Sequence, residues 1–110
     1  MIELEKTDCA DSISFGLNHT SGWRRKKAVL YPTDARNTRA SESLSRLASD
    51  AAGLTDDDFL LLQPYFGFDS ARWREAVSKA ARHVGFTYKI RDFPSFIQHL
   101  VDVLDEPVVA

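Results

Sequence analysis

Trp73, Ala76, Val77, Ala80, Ala81 and Val84 recur at the three- and four-residue steps of a single helix face, and Gly85 stands directly behind them. The next stretch, Phe86-Thr87-Tyr88-Lys89-Ile90-Arg91, alternates apolar and polar residues at period two. A 3.6-residue period followed across one glycine by a period of two predicts a helix, a C′ turn and a strand. Asp69 or Ser70 is placed to cap that helix. A further helix is expected from Asp92 to Pro107, opened by Pro94, with Phe93, Phe96, Ile97, Leu100 and Leu104 inward. Leu44, Leu47, Ala48 and Ala51 predict a third, capped by Thr38 or Ser41 and stopped by a left-handed Gly53.

The N-terminal third reads differently. Ser12-Ile13-Ser14-Phe15-Gly16-Leu17 alternates like a half-buried strand, and Asn18-His19-Thr20-Ser21-Gly22 carries turn chemistry. Trp23 to Tyr31 can then return as the partner strand, ended by Pro32. Between residues 55 and 66, Thr55 and three aspartates suit a helix start, whereas the apolar run Phe59–Leu62 suits a buried strand. The strand is the reading adopted. The resulting expectation is one domain, residues 1–110, of α+β class. It has a small sheet of three to four strands, an N-terminal hairpin, and three helices packed mainly on one face.

Composition bounds the function. The 110 residues are 44% hydrophobic, 27% charged and 11% aromatic, enough to build one core. No stretch approaches a membrane span, and no membrane partner is expected. The single cysteine, Cys9, cannot close an internal disulfide, so a cytoplasmic location is expected. No G-x-S-x-G, P-loop or Gly-rich phosphate cradle is present. His19, His83, His99 and Cys9 match no metal-ligand spacing. The chain therefore reads as a non-enzyme without cofactor or metal.

Charge is the informative feature. A formal net charge of −2 conceals blocks: residues 1–20 are acidic, 21–50 basic, 51–70 acidic, 71–91 basic and 92–110 acidic. Trp23-Arg24-Arg25-Lys26-Lys27 sets four consecutive cations beside a tryptophan. Like charges repel, so folding alone gives no reason to cluster them, whereas a polyanion does. Arg36 and Arg39 lie in the following polar segment. Arg72, Lys79 and Arg82 make a cationic helix stripe, and Lys89 and Arg91 an outward strand edge. These twelve positions predict a nucleic-acid surface, DNA or RNA, with Trp23 stacking on a base. The competing reading is an inhibitor-, immunity- or antitoxin-like module that meets a basic protein through Asp56, Asp57, Asp58 and Asp69.

Overall fold

The computed structural model of the chain describes residues 2–84 and 92–106, and these residues form five helices with no strand among them. The helices are α1 (Ile2–Leu30), α2 (Ala35–Asp50), α3 (Asp56–Leu62), α4 (Ser70–Val84) and α5 (Phe93–Asp105), with a 3-10 turn at Ala51–Gly53. The expected α+β fold is thereby corrected to an all-helical one. The expected strand 86–91, with Gly85, Lys89 and Arg91, lies outside the described residues.

The largest correction is the hairpin over 12–31, which is part of one continuous helix. Cys9, Ala10, Ile13, Leu17, Thr20, Ser21 and Arg24 are all buried. They recur at steps of three and four, which is helical spacing. Serines, threonine and glycine between the large residues mimic alternation at period two. Asn18–Gly22 has turn composition but no turn backbone, since Gly67 is the one positive-φ residue among those described. Pro32 ends α1 as it would have ended a strand, and Asp34 N–H bonds back to Tyr31 O at 3.0 Å to close the link to α2.

Segment 55–66 is also corrected. Thr55 accepts from Asp58 N–H, and Asp56, Asp57 and Asp58 fill the first turn of α3, where carboxylates complement the helix dipole. The apolar run buries Phe59 and Leu62, three residues apart, and leaves Leu60 and Leu61 exposed. The cap of α2 is Asp34, whose side chain accepts from Arg36 N–H, in place of Thr38 or Ser41. Gly53 ends the 3-10 turn without a left-handed φ. The apolar stripes of α2, α4 and α5 are buried at the positions the periodicity marks.

Three side-by-side contacts orient the bundle. Ser21 Oγ lies 2.9 Å from Ser41 O and 2.8 Å from Ser45 Oγ, while Arg24 Nη1 donates to Asn37 Oδ1 at 3.1 Å. Rising numbers on α1 meet falling numbers on α2, so the two are antiparallel. Trp73 Nε1 donates to Ser12 Oγ at 2.9 Å, and Gly16 faces Val77. Rising numbers meet rising numbers, so α1 and α4 run in the same direction. Arg72 Nη2 donates to Leu104 O at 2.8 Å and His83 stacks on His99, so α5 returns antiparallel to α4. The buried residues form one cluster, with Phe59, Phe96, Ile13, Leu17 and Leu44 fully enclosed.

Candidate functional site

The directions of the helices sort the charge blocks in space. The C-terminal halves of α1 and α4 and the N-terminal half of α2 share one end of the bundle. Arg24, Arg25, Lys26, Lys27, Arg36, Arg39 and Arg82 lie there. The start of α1, α3, the start of α4 and the end of α5 share the other end. It holds Glu5, Asp8, Asp56, Asp57, Asp58, Asp69, Asp105 and Glu106, and Lys6 Nζ is fastened to Asp56 at 2.7 Å. At about 1.5 Å per residue, α1 spans about 43 Å. That nearly fills the 47 Å longest dimension, so the charge separates along the length of the molecule.

Not every expected cation is turned toward a ligand at the basic end. Arg24 is only 9% exposed and is committed to the α1–α2 interface through Asn37. Arg25 leans over α2 toward Ser21 Oγ and Ser45 Oγ, each 3.4 Å away. Arg36 forks onto Asp34, Nε to Oδ1 at 2.9 Å and Nη2 to Oδ2 at 2.8 Å, which holds that carboxyl down to about 2. Arg72 and Lys79 belong elsewhere. Arg72 donates to the carbonyls of Leu104 and Glu106, and Lys79 pairs with Glu106 at 2.6 Å. Those two fasten α4 to α5 near the acidic end. Lys26 is exposed, and Lys27 and Arg82 stand beside Trp23, with Lys27 Nζ 5.4 Å from the Trp23 ring centre and 5.9 Å from that of Tyr31. The Arg24 guanidinium carbon also lies 5.1 Å from the Trp23 ring centre.

Four residues of this region were missed in the sequence. Phe15 and His19 extend the Trp23 side of α1 at four-residue steps, their rings stacked at 6.3 Å. Phe15 is 73% and Trp23 47% exposed. Arg74, Ser78 and Arg82 answer them at the same step on α4. Between the two rows lie two adjoining hollows, of about 250 and 320 Å³, which share His19 and Ser78. The i, i+4 recurrence of Phe15, His19 and Trp23 was visible in the sequence and became meaningful only once that stretch is read as helix.

The carboxylates of the competing reading have local structural work. Asp56 pairs with Lys6, Asp58 sits in the capped first turn of α3, and Asp69 accepts from Ala71 and Arg72 N–H at the start of α4. Asp57 is exposed. Cys9 is fully buried, and burial pushes its thiol up to about 12, far from the nucleophilic range. Burial, and next the neighbouring His83, lower the pKa of His99. Among the described residues no three His, Cys, Asp or Glu side chains gather as a metal site, and no helix is long and apolar enough to cross a membrane. Comparison with known proteins finds no matching family model, curated protein or solved structure.

Proposed function

We propose that this is a non-enzymatic nucleic-acid-binding module whose basic end receives phosphates. The observation that carries the reading is that Arg82 of α4, from a second basic block, stands at the same end of the bundle as the basic block shared by α1 and α2. Part of that placement serves the helices themselves, because Lys27 and Arg82 lie in last turns, where cations complement the helix dipole. Arg36 and Arg39 do the reverse. They sit in the first turns of α2, where the dipole disfavours positive charge. Arg36 is balanced there by its fork onto Asp34, so the support comes from the consecutive cations of α1, for which a polyanionic ligand would give a reason. Exposed Trp23 adds a stacking surface at the same place.

The test is anisotropy of a labelled oligonucleotide against the protein and the variants Lys26→Glu, Lys27→Glu and Arg82→Glu. Affinity is expected to fall with salt at a log–log slope of about −0.7 to −0.9 per phosphate contacted. Each reversal is expected to weaken binding at least about tenfold and to flatten that slope. A flat salt response, or reversals without effect, overturns the reading. The second reading, a basic protein partner, draws support from α3, where Leu60 and Leu61 are exposed on the same side as Asp57. It predicts no oligonucleotide binding and a co-purifying basic protein that is lost on Asp57→Lys.

A further inference from the structure

Resting on that reading, we infer that the ligand is a single strand, seated in the groove between α1 and α4 with its bases on Phe15, His19 and Trp23. The three rings rise by about 6 Å per step, four residues at about 1.5 Å each. Stacked nucleotides rise about 3.4 Å along one strand of a duplex, so rings at nearly twice that spacing cannot meet consecutive bases that remain stacked. They suit a strand drawn out of its stack, one base to a ring. A duplex presents phosphates but keeps its base faces covered, and nothing in this groove would then engage the exposed aromatic faces.

The opposite wall supplies the complement. Arg74, Ser78 and Arg82 repeat at the same step and in the same direction as the rings, because α4 runs parallel to α1. Arg74, whose Nε donates to Ser70 O at 3.3 Å, Ser78 and Arg82 thus set guanidinium, hydroxyl and guanidinium along the rings as donors to the phosphates of the strand. The hollows between the rows are lined by His19, Thr20, Trp23, Ser78 and Arg82 at one end and by Phe15, Gly16 and Arg74 at the other. Gly16 and Val77 form the floor of this space: a Cβ at Gly16 would lie 2.5 Å from Val77 Cγ1, so α1 and α4 approach closely beneath the rings. Lys26 continues the ring side of α1 past Trp23 and carries the cationic track to the basic end. The carboxylates Asp8 and Asp11 lie beyond Ser12, at the far end of the groove, and limit the strand to the stretch from Phe15 onward.

The experiment compares a short labelled oligothymidylate, the same strand made abasic, and a duplex of equal length, each titrated with the protein, Phe15→Ala and Trp23→Ala. Both side chains are exposed, and unchanged thermal unfolding of the variants establishes that they fold. The single strand is expected to bind at least about tenfold tighter than the duplex. Each alanine is expected to cost about tenfold on the single strand and to leave duplex binding unchanged. Equal binding of strand and duplex, or an abasic strand that binds as well as the intact one, overturns the inference while the phosphate-binding reading stands. No binding of any of the three overturns both.

Discussion

Arg24 and Lys26 are two residues apart in the same basic run, and the helix gives them opposite duties. A step of two residues turns a helix by about 200°, which carries one side chain into the interface with α2 and the other into solvent. Arg24 lays its stem against α2 and donates to Asn37, itself buried. Arg24→Ala is expected to cost about 1–3 kcal/mol in urea unfolding, because it removes packing and leaves the Asn37 amide without that donor. Lys26→Ala is expected to stay within about 0.5 kcal/mol. The Asn37→Ala change should cost less in the Arg24→Ala background than alone, since the two share one interaction. Equal stability of the Arg24 and Lys26 variants would place the guanidinium in solvent and undo the described α1–α2 contact. The cluster of four cations was legible in the sequence, but its division into a buried Arg24, a half-buried Lys27 and the exposed Arg25 and Lys26 was not, because that division depends on helical phase.

Phase also explains which elements the sequence revealed. In α4 and α5 the buried stripe is made of Trp, Val, Phe, Ile, Leu and Ala, so hydrophobicity and burial coincide and the period can be read directly. In α1 the stripe begins as Cys9, Ala10, Ile13 and Leu17 and continues as Thr20, Ser21 and Arg24, so the hydrophobic signal fades halfway along. Ser21 bonds to Ser41 and Ser45 of α2, which is burial without apolar side chains. Gly16 is the matching feature toward α4. A mid-helix glycine costs about 1 kcal/mol relative to alanine, so its presence calls for a packing reason, and the 2.5 Å approach to Val77 supplies one. Gly16→Ala is expected to lose more by overpacking, about 1–3 kcal/mol, than it gains in helix propensity. The net is a destabilisation of up to about 2 kcal/mol, read as a lowered urea midpoint at unchanged slope. An increase in stability would mean that α1 and α4 do not approach so closely.

At the scale of the whole molecule, a chain with net charge −2 offers a polyanion a positive end because helix direction, not composition, arranges the charges. Such an arrangement orients the molecule during encounter and raises the association rate for an anionic ligand. It also separates two explanations of binding that net charge alone would merge. Lys26→Glu and Asp57→Lys move the net charge by equal amounts in opposite directions. Lys6, paired with the neighbour of Asp57, lies twenty residues before Lys26 on α1, about 30 Å along the helix. The Debye length is about 8 Å at 0.15 M salt and about 30 Å at 0.01 M. At 0.15 M, Lys26→Glu is therefore expected to weaken oligonucleotide binding at least about tenfold, and Asp57→Lys to leave it unchanged. At 0.01 M, Asp57→Lys should begin to raise the association rate, measured by stopped-flow anisotropy. Equal and opposite effects of the two variants at 0.15 M would mean that total charge governs binding, and the basic end would lose its claim to be the site.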